Sequence, residues 1–212
     1  KIFNVLREYI KHSKKILFEG DGYSEAWEKE AEKRGLSNFK TTPEALKARA
    51  SKQALDLFSG LGIMNHVEVE ARYEIELEEY TKKIQIEGRV LGDISTNHVI
   101  PTAIRYQNTL IENVKGLKDI FGSDFETIAK EQIILIKDIS RHIEGINSKV
   151  LEMTNERKKA NVLTDGQAMA EAYCNNVKPY FEIIREHCDK LELLVDNELW
   201  TLTKYRELLF TK

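Results

Sequence analysis

The amino-acid sequence predicts an all-α protein: an elongated antiparallel bundle of three long kinked helices, with short helices before it and a docked tail after it. Apolar residues recur at alternating intervals of four and three over three long stretches, which is the pattern of helices packed along a seam. The 212 residues include only 3 prolines and are 32% charged, as is typical of solvated helices. With 42% hydrophobic residues the chain can bury a core, and nothing requires more than one structural domain.

Segment 1–64 is predicted to hold the short helices. The first is amphipathic and fades near residue 15, and a charged second helix follows over about residues 24–34. Thr42 caps a third helix whose first position is Pro43, where a missing N–H costs nothing. That helix continues, with or without a break, to Phe58.

Segment 65–195 is predicted to hold the long helices, and the first of them is the element around which the chain is organised. Asn65 and Glu68 have the spacing of a capping box, and Gly122 supplies the end. Pro101 removes a backbone donor, which predicts a kink. The seam consists of Tyr73, Leu77, Tyr80, Ile84, Leu91, Ile94 and His98 before the proline, and of Ile104, Gln107, Ile111, Val114 and Leu117 beyond it.

The second long helix is predicted to run back antiparallel to the first, because only about two residues connect them. Ser123 and Glu126 suggest a capping box at its start. Its seam is the most regular in the chain and consists of Ala129, Gln132, Ile136, Ile139, Ile143, Ile146, Val150 and Met153.

A third long helix is predicted to start at a capping box formed by Thr164 and Gln167 and to be kinked at Pro179. Its seam consists of Tyr173, Val177, Tyr180, Ile184, His187, Leu191 and Leu194. Segment 196–212 is an apolar tail around Trp200, and we expect it to dock on the bundle or on another domain. Pro101, Pro179 and Trp200 are therefore the residues to which we assign structural roles.

The search for a catalytic or metal site gives mostly negative results. No Glu-x-x-His pair of the di-iron type occurs, because none of the five histidines follows an acid by three residues. The acidic run between Glu68 and Glu79 covers several helix faces and is interpreted as a solvated surface. His98 and His187 are interpreted as structural residues, and Cys174 and Cys188 as small core residues. We therefore predict no catalytic, cofactor-binding or metal-binding residue.

Composition excludes other classes of function. A net charge of −3 gives no case for a nucleic-acid partner, and no apolar run is long enough for a membrane partner. No phosphate-binding glycine motif and no signal peptide are present, and two cysteines make no disulfide framework. We expect a cytoplasmic protein and, since residue 1 already lies in a helical pattern, a piece of a longer polypeptide.

Five blocks of sequence resemble, in the same order, the C-terminal region of type III glutamine synthetases, the large bacterial class. They are residues 18–24 (FEGDGYS), 65–74 (NHVEVEARYE), 100–106 (IPTAIRY), 173–180 (YCNNVKPY) and 199–210 (LWTLTKYRELLF). The resemblance covers nearly the whole chain. Thr201 and Thr203 depart from it, because prolines usually stand there in the family.

The resemblance implies a parent enzyme that joins ammonia to glutamate with ATP hydrolysis and uses Mg²⁺ or Mn²⁺. It also implies two partners for this chain: an upstream catalytic domain and the other subunits of a ring-forming homo-oligomer, a dodecamer in the family. The family's catalytic motifs have no match here, so the implied role is architectural. Two alternatives remain open: a free-standing helical adaptor, and a helical-bundle enzyme with an unfamiliar metal site.

Overall fold

The computed structural model describes residues 1–210, apart from the side chains of Lys15 and Tyr205, and every regular element in this part is helical. The predicted all-α fold is confirmed. The chain forms two compact units, Lys1–Thr41 and Thr42–Lys212. This boundary does not coincide with the predicted segment ends at residues 64 and 195, and the assignment of all three segments to one structural domain stays a prediction.

The first unit contains α1 (Ile2–Ser13), a 3₁₀ turn (Lys14–Ile16) and α2 (Glu25–Lys33). Ser24 caps α2 by accepting a hydrogen bond from the Trp27 N–H at 3.3 Å. The Trp27 ring lies 4.6 Å from the Phe18 ring, so a small aromatic contact holds this unit together.

The second unit begins with α3 (Thr42–Arg49) and α4 (Lys52–Gly60). The break between them was left open by the sequence, and it occurs where Ser51 caps α4 and accepts from the Ala54 N–H. Gly62 follows α4 with a φ of 66°, a backbone conformation that glycine adopts without strain.

The first long helix, which we call helix A, consists of α5 (His66–Ile94), a π-helical turn (Ser95–Val99) and α6 (Ile100–Phe121). The predicted capping box forms: the Glu68 N–H donates to Asn65 Oδ1 at 2.9 Å, and the Asn65 N–H donates to Glu68 Oε2 at 2.8 Å. At the π-turn the Ile100 N–H donates to the Ser95 carbonyl, five residues back. This wider turn stands just before Pro101, where an α-helical ladder would bring the proline ring against a carbonyl.

The π-turn changes which residues of helix A are buried. His98 and Ile104 were predicted on the seam and are exposed, whereas Val99 and Ala103 are buried. A π-turn holds about one residue more than an α-turn, which changes the residues that face the bundle at and just after the turn, whereas the later predicted positions stay partly buried, namely Gln107, Ile111, Val114 and Leu117. The predicted seam is therefore wrong at His98 and Ile104.

Helix B is α8 (Lys130–Ala160), reached from helix A through a 3₁₀ turn (Gly122–Asp124) and the short α7 (Phe125–Ile128). It runs antiparallel to helix A, as predicted: the Gln107 Nε2 donates to the Ile136 carbonyl at 2.9 Å, and Asn113 bonds Gln132. The capping box predicted at Ser123 is absent, because the Ser123 hydroxyl donates instead to Asp124.

Helix C consists of α9 (Gly166–Ala172), a second π-turn (Tyr173–Val177) and α10 (Pro179–Leu194). Asp165, not Thr164, caps it and accepts from the Ala168 N–H at 2.7 Å. The Lys178 N–H donates to the Tyr173 carbonyl at 2.9 Å. Pro179 thus follows its π-turn at the same distance as Pro101 follows the first one.

The core of the second unit lies between the three long helices. One cluster of buried residues consists of Val99, Ile100, Ala103, Ile139, Ile146, Leu191 and Val195, and the other of Ile84, Met153, Ala160, Tyr173, Val177 and Ile184. The seams predicted for helices B and C supply most of them. Helix B contains neither a proline nor a π-turn, so of the three predicted kinked helices only A and C are interrupted.

The tail docks on the bundle through its first part. Leu199, Trp200 and Leu202 pack against the first cluster, and Lys204 is buried. The 3₁₀ turn Tyr205–Leu209 follows, and the large apolar residues at its end are exposed, namely Leu208, Leu209 and Phe210. The expected docking is therefore limited to the part around Trp200.

Candidate functional site

The residues that carry chemistry are dispersed over the fold. Across residues 1–210, no group of three or more histidine, cysteine, aspartate or glutamate side chains could hold a metal ion. The acidic run lies largely on the surface of α5, where Glu76 accepts from Arg49 Nη1 at 2.7 Å. The donor set of this part of the chain therefore does not fit a divalent metal, and no reaction step is assigned to one.

The two cysteines lie in helix C, and both are free and partly buried. Burial raises the pKa of the Cys188 thiol, which keeps it protonated at neutral pH. Its sulfur lies 3.5 Å from Ser95 Oγ, and that hydroxyl also donates to the Leu91 carbonyl. Cys188 therefore joins helix C to the π-turn of helix A, in agreement with its interpretation as a core residue.

Two histidines meet between helices B and C. His142 Nδ1 and His187 Nδ1 are 2.9 Å apart, and the rings form an edge-to-face contact with centroids 5.2 Å apart. Burial, followed by the positive charge that His187 can carry, lowers the pKa of His142 below its usual value of 6.5. The sequence placed His187 on the seam of helix C but gave no sign of its partner. A histidine at a seam position of helix C together with a glycine on the facing helix B, here Gly145, is the signal in the sequence that could have revealed a close contact at this level.

The His187 ring occupies the space that a side chain at position 145 would fill. A Cβ built on Gly145 would lie 2.5 Å from His187 Nε2. Helices B and C can therefore approach closely at this level only because residue 145 is glycine.

Lys204 fastens the tail to the end of helix C. Its ammonium donates to the Glu192 carbonyl at 2.8 Å and to Asn197 Oδ1 at 2.6 Å. The same ammonium lies 5.7 Å from the centroid of the Trp200 ring. A cation beside the final carbonyls of a helix also offsets the helix dipole, so this contact stabilises both the tail and helix C.

A cleft of about 300 Å³ lies where the tail, helix C and the π-turn of helix A meet. Leu91, Ile94 and Leu202 contribute apolar surface to its wall, and Asp189 and Glu192 contribute polar groups. The Trp200 Nε1 is buried without a hydrogen-bond partner in the described part of the chain. The cleft contains no constellation of nucleophile, base and oxyanion donors that would define a reaction.

One face of α1 in the first unit is apolar and exposed, and α1 buries none of its residues. The face consists of Ile2, Phe3, Val5, Leu6, Tyr9 and Ile10, and each of these side chains is more than half exposed. Scattered apolar residues are normal on a protein surface, but a continuous stripe along a helix is typical of an interaction site.

The fold defines a class: within residues 1–210 the chain is an all-helical protein whose long helices form a packed bundle with a docked tail segment. Residues 1–118 match the model of the family described as glutamine synthetase C-terminal domain. The chain belongs to this family.

Three relatives extend the match over the remaining residues. A glutamine synthetase of Bacteroides fragilis is 47% identical over the whole chain, and one of Butyrivibrio fibrisolvens is 28% identical over the whole chain. A type-3 glutamine synthetase of Dictyostelium discoideum is 29% identical over 98% of it. The chain spans only 28–30% of the length of these relatives. The resemblance to the C-terminal region of type III enzymes is therefore confirmed.

No helix in residues 1–210 combines the length and the apolar character that crossing a membrane requires.

Proposed function

We propose that this chain is the non-catalytic C-terminal helical domain of a cytoplasmic glutamine synthetase. The larger remainder of that enzyme joins ammonia to glutamate with ATP hydrolysis and holds the ATP and the Mg²⁺ or Mn²⁺. The role of this chain is architectural: it packs on the catalytic domain of its own polypeptide and so supports the assembly of subunits into a ring-forming homo-oligomer.

The observation that carries this proposal is the exposed apolar face of α1. Six large side chains on a helix of 12 residues each remain more than half exposed. Burying such a face contributes on the order of 1 kcal/mol or more for each side chain, since the gain is about 25 cal/mol per Å². A partner surface that covers the face is therefore strongly favoured.

The catalytic domain is the partner that we assign to this face. More than two thirds of the length of the Bacteroides fragilis relative lies outside its match to this chain, so a large body of protein is available to cover α1. The face is also uniformly apolar, as obligate interfaces within one polypeptide or assembly are, whereas transient interfaces are more polar.

The test introduces one charge on the apolar face of the full-length enzyme. Leu6→Glu places a carboxylate in the middle of the face and is expected to abolish ring assembly and with it most of the activity. Lys11→Gln is the matched control, since it changes the net charge by the same amount on the opposite side of α1, where Lys11 pairs with Glu8 at the surface.

Two measurements separate the outcomes. Size analysis and activity of the full-length variants report the interface, and thermal melting of the 212-residue chain reports its own fold. We expect Leu6→Glu to leave the melting of the chain nearly unchanged, because the Leu6 side chain is more than half exposed. Full assembly and activity of the Leu6→Glu enzyme would show that α1 is not an interface.

A further inference from the structure

We propose that His142 and His187 form a pH-sensitive latch between helices B and C, which holds with one proton shared between the rings and opens when both rings are charged. This proposal concerns the bundle itself and does not depend on the proposed function. It rests on the geometry of the pair and on the packing that confines it.

The geometry requires one ring to donate and the other to accept. With their Nδ1 atoms 2.9 Å apart, two neutral rings satisfy this requirement when one carries its proton on Nδ1 and the other on Nε2. One added proton is compatible with the contact, because an imidazolium still donates to a neutral ring and the hydrogen bond becomes charge-assisted. A second added proton leaves two Nδ1–H donors facing each other with no acceptor.

The packing restricts how the partly buried pair can relieve this conflict. The His187 ring lies against the backbone of Gly145, so it cannot swing toward helix B. Ile146, one residue further along helix B, is fully buried. Two like charges at this contact therefore have to separate the helices or expose the rings to water.

The charged groups around the pair come from the two helices that form it. Arg141 on helix B and Lys190 on helix C oppose a charge on His142, and Asp138 on helix B favours one. Among the described residues, helix A contributes no charged group to this balance. Burial and the partner ring dominate, so the pKa of His142 is lowered.

The sign of the pH dependence follows from that direction. When a basic group has a lower pKa in the folded state than in the unfolded state, the unfolded state binds more protons as the pH falls. The contribution of His142 to stability is therefore constant above about pH 7. It decreases as the pH falls below the usual histidine value of 6.5, and the loss is complete once the pH passes the lowered pKa of His142.

The test compares thermal midpoints of the 212-residue chain between pH 7.5 and pH 5. His142→Asn keeps a hydrogen-bonding group near the position of Nδ1 but removes the titration. His98→Asn is the matched control, because His98 is exposed on helix A. We expect the thermal midpoints of the wild type and of His98→Asn to fall further than that of His142→Asn over this pH range, because the lowered pKa of His142 makes the folded state less stable in acid.

Parallel curves for the wild type and His142→Asn would overturn the proposal. If His142→Asn does not fold, the wild type alone still decides the question by nuclear magnetic resonance. We expect opposite tautomers for the two rings at pH 8. We also expect His142 to titrate below pH 6.5, with shifts of the backbone amides around residues 142–146. The same tautomer in both rings, or titration of His142 at or above 6.5, would refute the latch.

Discussion

The tail of this protein offers a quantitative test of how it is held, through Trp200→Ala. Complete loss of a buried tryptophan side chain costs about 3–5 kcal/mol, and Trp200 is only partly buried, so about 2 kcal/mol is expected. The variant also removes the ring beside the Lys204 ammonium. In a domain of this size, 1 kcal/mol lowers the thermal midpoint by about 2–4 °C, which predicts a loss of about 4–8 °C.

Two further variants control this experiment. Trp200→Phe keeps most of the ring and removes an N–H that has no partner in the described part of the chain, so it is expected to cost less than half as much. Leu209→Ala alters a side chain that is 80% exposed and is expected to change the midpoint by about 1 °C or less. The measurement is thermal unfolding followed by circular dichroism. A Trp200→Ala variant that melts with the wild type would mean that the tail is not docked on the bundle.

Two other predictions concern glycine and activity. Gly145→Ala is expected to destabilise the chain by about 1–3 kcal/mol, because the new Cβ meets the His187 ring. Gly116→Ala, whose Cβ would meet open space, is expected to stabilise α6 by about 0.5–1 kcal/mol. Urea unfolding of the two variants measures the sign of each change in the free energy of unfolding. The isolated chain is expected to form no glutamine from glutamate, ammonia and ATP in a coupled assay, and measurable synthesis by the purified chain would contradict its proposed non-catalytic role.

The sequence predicted the buried faces of helices B and C correctly because heptad spacing fixes which face of a helix is buried. Ile139, Ile146, Ile184 and Leu191 are all fully buried, as expected from the pattern. The same reasoning also holds for helix C across its π-turn, since Tyr173 and Val177 are both seam positions and both buried. Regular apolar spacing therefore predicts the buried face of a helix even across a π-turn, provided that the spacing of the apolar residues continues through that turn.

The sequence failed in helix A because the wider turn before Pro101 has no local signature. A proline predicts a disturbed ladder, but it does not say whether the chain breaks, bends or adds a residue to one turn. That one turn gains a residue here is revealed only by the structure, in which Val99 is buried and His98 is exposed. The prediction of the cap of helix C was wrong for a related reason. Thr164 and Asp165 are both suitable N-cap residues, and which of them caps the helix depends on where the helix docks.

The contacts described for the candidate site could not be predicted from the sequence. The His142–His187 contact joins residues 45 positions apart on different helices, and neither residue has a local sequence context that marks it. The exposed face of α1 was visible as an amphipathic pattern, but the pattern does not tell a buried face from an uncovered one. Such contacts depend on tertiary packing, which spacing alone does not encode.

The two π-turns have a consequence for how this bundle tolerates changes in length. One residue inserted into an α-helix ordinarily rotates everything beyond it by about 100°, which would turn a buried face toward water. Helices A and C each accommodate an additional residue within five positions, at Ser95–Val99 and at Tyr173–Val177, and continue with a buried face. These turns are therefore the places where a long helix of this architecture can gain or lose a single residue in the course of evolution while its neighbours stay in register.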